Sequence, residues 1–142
     1  MIGIGNDHHG LLAKKIISNY FNENNIEYKD FGTNDNGNVD YVDYSTELCY
    51  SLINGEIEKG ILICKTGIGM SIAANKIKGI RCARVLSKDD AFLTRMHNDA
   101  NVIAIPSNLE KEKIINIVET FINTPFSNEE RHQRRKMKID NL

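Results

Sequence analysis

Cys64 closes a short apolar run, Ile61-Leu62-Ile63, and is followed by Lys65-Thr66-Gly67-Ile68-Gly69 before a helical segment begins near Met70. A thiol beside a helix N-terminus feels the positive end of the helix dipole, so Cys64 could carry thiolate near neutral pH and act as base or nucleophile. The small residues after it leave backbone amides free, which makes the turn an anion hole in waiting. The plainer alternative is a small buried hydrophobe at a strand end.

Three other groups could join such chemistry. Asp7 and His8 follow the first apolar strand, a place from which a carboxylate and an imidazole reach the crevice at the end of a sheet; Asp7 could equally cap a helix with His8 in solvent. His97, next to Asn98 and Asp99, has a side chain suited to proton shuttling near neutral pH, or to satisfying the last carbonyls of a helix. Arg131 and Arg135 stand four apart, hence on one helix face, where both could grip one phosphate; a basic run is also a common solvated face. Asp40-Tyr41 reads on its own as a helix cap followed by a core aromatic.

These residues need elements to place them. Residues 2–6 read as a strand, 11–24 as a helix, 27–31 as a strand, 32–40 as an Asn/Asp/Gly-rich loop, and 41–54 as a helix ended by Gly55. The strand 60–63 follows, then a short helix from residue 70, a strand over 80–86, and a helix capped by Ser87 with Asp89 and Asp90 in its first turn. A fifth strand over 102–105, a long helix over 108–123 and a basic helix over 128–141 complete the chain. Strands alternating with helices through short loops predict a three-layer α/β/α sandwich around a five-stranded parallel sheet, with an added C-terminal helix.

Composition narrows the function. The 142 residues suit one domain spanning 1–142, and 18 basic against 19 acidic residues give a net charge of −1, with no case for a nucleic-acid surface. Three cysteines without CxxC spacing fit a reduced, cytoplasmic compartment. No apolar run reaches membrane-spanning length, and Asp7 and His8 lie where a signal peptide would have its apolar core. The dinucleotide fingerprint fails because His8 stands at the third glycine position after Gly3 and Gly5, and no Walker loop occurs.

Taken together, GILICKTGIGMSIAANKIKGIR, NDHHG at 6–10, HNDANV at 97–102 and RHQRR at 131–135 resemble the ribose 5-phosphate isomerase B family, which also contains allose 6-phosphate and galactose 6-phosphate isomerases. The resemblance implies a Rossmann-like fold and an aldose–ketose isomerase that needs neither metal nor cofactor. It implies Cys64 as the base and the loop Thr66, Gly67, Ile68 and Gly69 as donor of N–H groups to an enediolate, with Thr66 hydrogen-bonding the sugar or the proton in transit. His97 would protonate the ring oxygen while Asp7 accepts the anomeric proton. Asn98, Asp40 and Tyr41 would touch the sugar, and His8, Arg131 and Arg135 the phosphate. It further implies a homodimer or a tetramer in which the terminal helix serves a neighbouring subunit, Arg134 and Lys136 being surface.

The sequence also departs from the family pattern. Lys65 replaces a usual glycine, His9 a usual small residue, Pro106 another glycine, and Asn108 an arginine that assists the phosphate. Glu129 and Glu130 replace two glycines before Arg131. These changes bear on the phosphate pocket, so a six-carbon or tetrose phosphate stands beside ribose 5-phosphate as substrate. A sugar-phosphate sensor without catalysis, or a flavodoxin-like module carrying a yellow chromophore, are the readings from other classes.

Overall fold

The computed structural model describes residues 1–142. Five strands, β1 (Ile2–Asn6), β2 (Tyr28–Asp30), β3 (Lys59–Cys64), β4 (Cys82–Arg84) and β5 (Val102–Pro106), form one parallel sheet in the order β2-β1-β3-β5-β4. Six helices connect and extend them: α1 (Leu11–Glu23), α2 (Tyr41–Ile53), α3 (Ile68–Asn75), α4 (Lys88–Asn98), α5 (Lys111–Asn123) and α6 (Glu130–Asp140). The three-layer sandwich is the expected one.

The layers follow from side-chain alternation along the strands. Ile61, Ile63, Ile103 and Ile105 face a core completed by Ala13, Ile17 and Phe21 of α1, Ala91 of α4, and Ile114, Ile117 and Phe121 of α5. Their alternates Leu62, Cys64, Val102 and Ala104 face Leu48 and Cys49 of α2 and Met70 and Ala74 of α3. Cys64 therefore belongs to the α2/α3 face.

Several boundaries move, for local reasons. The strand expected over 80–86 shrinks to Cys82–Arg84. At its start, Ile80 N–H turns back to the Ile77 carbonyl; at its end, Leu86 N–H bonds the Asp90 carboxylate at 3.1 Å. Asp90 is held in turn by the helix cap: Ser87 Oγ accepts from Asp90 N–H at 3.1 Å and fixes the start of α4. The helix expected from residue 70 begins two residues earlier, and α5 and α6 begin at 111 and 130 rather than 108 and 128. No helix is long and apolar enough to cross a membrane.

Candidate active site

Sheet order reverses between β1 and β3, and the crevice beyond their carboxyl ends is where open α/β sheets bind ligands. Asp7 and Cys64 sit there side by side, Asp7 N–H bonding the carbonyl of Ile63 at 3.2 Å. Cys64 is 4% exposed, so one part of the plainer expectation holds: the thiol lies in the core on one side. Its sulfur is not sealed in hydrocarbon, however, because Gly67 N–H donates to Sγ at 3.2 Å.

The turn that makes this bond depends on Gly67. Its φ of +75° is a left-handed conformation, and a Cβ there would lie 3.1–3.2 Å from the Ile105 and Ala104 backbone of β5. The expected N–H cradle over residues 66–69 needs one correction. The amide of Gly67 serves Cys64, and that of Ile68 bonds Thr66 Oγ1 at 3.2 Å, so both are committed. The amides of Gly69 and Met70, in the first turn of α3, make no hydrogen bond within the chain and remain the donors for an oxyanion. Thr66 is exposed, with its hydroxyl hydrogen free to donate.

Tyr41 closes over this cradle rather than entering the core. It is 39% exposed, and its ring sits so near Gly69 that a Cβ there would come within 2.5–2.8 Å of it. Asp40 occupies the N-cap position of α2 but its carboxylate makes no capping bond, so both halves of the cap-and-core alternative fail.

Asp7 is buried and caps a single 3-10 turn, His8–Gly10: Oδ1 accepts from His9 N–H at 2.9 Å, and Oδ2 faces His9 Nδ1 at 3.5 Å. His8 Nδ1 accepts from Val39 N–H at 3.2 Å, which places the neutral ring's proton on Nε2 and offers an N–H donor suited to an anion. The loop supplying Val39 is anchored by the buried Lys14, whose Nζ reaches the Thr33 carbonyl at 2.7 Å, Asn34 Oδ1 at 2.8 Å and the Asp30 carboxylate at 3.1 Å. Asp7, His8 and His9 hold potential ligand atoms within 4.8 Å of one another. The hydrogen bonds just described already use Asp7 and the His8 Nδ1 lone pair.

His97 and Asn98 lie elsewhere, and this is the main correction to the expected constellation. In a parallel sheet each connecting helix runs back toward the amino ends of the strands, so the C-terminus of α4 delivers His97 and Asn98 to the far end. Asn101, three residues after Asn98, accepts from Gly60 N–H at 2.9 Å, and Gly60 precedes Cys64 by four residues, roughly 13 Å of strand. Within one chain, therefore, His97 and Asn98 do not meet Asp7 and Cys64.

Helix α6 packs at that same far end, carrying Arg131 and Arg135. His132, between them, is buried and stacks on His97 with ring centroids 4.5 Å apart, while its Nδ1 lies 2.6 Å from Ser127 Oγ. Burial pushes the His132 pKa down, the charges of His97, Arg131 and Arg135 push the same way, and Glu129 opposes them. Below this stack Asp99, in left-handed conformation, ties three elements: it accepts from Arg95 at 2.8 Å, pairs with Lys136 of α6, and lies 3.6 Å from Arg81, which also binds Asp140 at 2.7 Å. Burial works to raise the Asp99 carboxyl pKa, but hydrogen bonds from Lys136 and Arg95 outweigh it and hold it below the usual value.

Two expectations for α6 change accordingly. Lys136 is a half-buried clamp on Asp99, not a surface residue, whereas Arg134 is exposed and pairs with Glu130 at 2.7 Å. Arg131 is engaged by Glu129, its Nε donating at 3.0 Å, so one of the departures noted above partly neutralises a phosphate candidate; Arg135 has no partner in the chain. Sequence reasoning missed His132, Ser127, Lys14 and the Asp99 hub. Only His132 left a trace, as an imidazole set between two arginines meant for one face.

The ribose/galactose isomerase family matches residues 2–139. Ribose-5-phosphate isomerase B of Escherichia coli strain K12 is 39% identical over 137 residues, covering 94% of this chain and 90% of that protein. The crystal structure of a ribose 5-phosphate isomerase from Thermotoga maritima superposes with a TM-score of 0.95 at 43% identity, covering 99% of this chain and 97% of that one. Ribose-5-phosphate isomerase B from Mycoplasma genitalium with bound ribulose-5-phosphate gives 0.92 at 39% identity, covering 99% and 93%.

Proposed function

The chain belongs to the ribose/galactose isomerase family and is a sugar-phosphate isomerase, and from that premise we propose that it interconverts ribose 5-phosphate and ribulose 5-phosphate at a site shared between two copies. Asp7, Cys64 and the α3 amides come from one copy. His97, Asn98, Arg131 and Arg135 come from the other. In a two-fold dimer each copy lends its far end to its partner's crevice, so two complete sites form at once. The exposed apolar side chains Ile68 and Ile72 of α3, beside the α3 amides, offer a face on which such copies could pack.

Ring opening comes first: Asp7 takes the proton of the anomeric hydroxyl while His97 gives one to the ring oxygen, and the C1–O bond to the ring breaks to leave the open-chain aldehyde. Cys64 thiolate then removes the proton from C2, and the electron pair moves to give a cis-enediolate. Its oxygen charge falls on the Gly69 and Met70 amides. The thiol returns the proton to C1, Thr66 assists transfer between O1 and O2, and the ketose results. His8, Arg131 and Arg135 hold the phosphate throughout. One observation carries this reading: a sulfur hydrogen-bonded to Gly67 N–H lies next to two unbonded helix amides at the carboxyl end of the central strand.

The test is a panel of pentose, hexose and tetrose phosphates turned over in deuterated water. Deuterium should enter the carbon-bound position of ribulose 5-phosphate, with the pentose preferred, and Cys64→Ser should lower kcat about a hundredfold or more. Full activity in Cys64→Ser removes that residue from the base role. Preference for a hexose phosphate replaces the substrate but keeps the reaction.

A further inference from the structure

Arg84 ends the edge strand β4 and reaches past β5 toward the loop that follows Cys64: its Nε–H donates to the Thr66 carbonyl oxygen at 2.8 Å. That carbonyl shares a peptide unit with Gly67 N–H, the donor to Cys64 Sγ at 3.2 Å. One guanidinium and one sulfur thus hold opposite ends of the same peptide plane. From this geometry we propose that Arg84 is a positioning residue for the catalytic thiol, locking and polarising the Thr66–Gly67 peptide so that its N–H points at Cys64.

The lock has work to do because Gly67 has no Cβ. A peptide next to a left-handed glycine can rotate with little steric resistance, and such a rotation would aim the Thr66 carbonyl, an acceptor, at a sulfur that must be anionic to act as base. Arg84 opposes the rotation by binding the oxygen on the outer side. Hydrogen bonding at the carbonyl also strengthens the N–H of the same amide as a donor, since linked hydrogen bonds polarise one another. Two other charged groups flank the turn, Lys65 next to the thiol in sequence and Asp7 beside Ile63, and both stay in place when Arg84 is replaced.

The inference rests on Cys64 being the base only for its catalytic consequence; the hydrogen-bond lock itself is measured on the thiol. In the full-length protein, iodoacetamide labelling followed by peptide mass spectrometry reports each cysteine separately. Burial pushes the Cys49 thiol up to about 11 and pushes Cys82 further upward, so these two serve as slow internal references. Arg84→Ala should slow Cys64 labelling about fivefold and lower kcat in step, with KM for ribose 5-phosphate and the labelling of Cys49 and Cys82 unchanged. Arg84→Gln should recover most of both losses, because glutamine Nε2 stands the same number of bonds from the backbone as arginine Nε and donates without the charge. Wild-type labelling of Cys64 in Arg84→Ala overturns the proposal, as does failure of Arg84→Gln to exceed Arg84→Ala. Should Cys64→Ser keep its activity, the base assignment falls, whereas the labelling result still decides the lock.

Discussion

At the carboxyl end of the sheet the reactive groups are held by main chain. Gly67 N–H meets the thiol, Ile68 N–H meets Thr66, His9 N–H meets Asp7, and Val39 N–H orients His8. At the amino end they are held by side chains: His132 against His97, Ser127 on His132, and Arg95, Lys136 and Arg81 gathered on Asp99. The first kind of site is rigid because its donors belong to helix starts set by the sheet and to a loop anchored by the buried Lys14. The second is built where α6 docks, and depends on ion pairs that water, protons and salt can reach. The two halves should therefore fail differently.

The largest effect is expected at the main-chain half. Gly67→Ala forces a side chain into a left-handed backbone against β5, and should cost about 1–3 kcal/mol while turning the amide away from Cys64. A fall in kcat of about a hundredfold, with a lower thermal midpoint, is the expected result; wild-type kcat would mean the turn is not what activates the thiol. Next comes the side-chain half. Arg135→Ala, removing the unpaired arginine, should raise KM about tenfold, and Arg131→Ala somewhat less because Glu129 already competes for it. Glu129→Gln should then lower KM about two- to threefold, the pair being solvent-exposed and weak. Steady-state kinetics on the three variants separates these outcomes, and an unchanged KM in all would take α6 out of phosphate binding.

The smallest effect is in pH dependence. The His132 pKa is lower folded than its ordinary 6.5, so the unfolded chain takes up a proton in a range where the native chain does not. The associated stability is complete above pH 6.5 and is lost as pH falls below it. Thermal midpoints between about pH 5 and 7 should slope downward toward acid in the wild type and flatten in His132→Gln. Parallel curves would mean that His132 keeps its ordinary affinity for protons.

The same contrast explains what could be read from one sequence. Gly67 and Gly69 after an apolar run state a backbone requirement in residue type, so the turn beside Cys64 was legible, as was the Ser87 cap with Asp90 three positions on. The sandwich followed from alternating strand and helix patterns that local composition sets. The committed amides of Gly67 and Ile68 were not legible, because residue type does not say which way a peptide faces. Nor was the Asp99 hub: Arg81, Arg95 and Lys136 are surface residues by composition, and only the meeting of the turn before β4 with α4 and α6 makes them a clamp. The separation of His97 from Cys64 was implicit, since a helix that follows a strand must run back to its start.

Two half-sites at opposite ends of one sheet can make one catalyst only if copies exchange them, and subunit complementation measures this directly. Cys64→Ser and His97→Ala each disable every site in their own homodimers. Refolded together in equal amounts, they should form mixed dimers with one intact site, half of all dimers by random pairing, and so recover about a quarter of wild-type activity. A mixture no more active than its parts would contradict the account and place the complete site within a single chain.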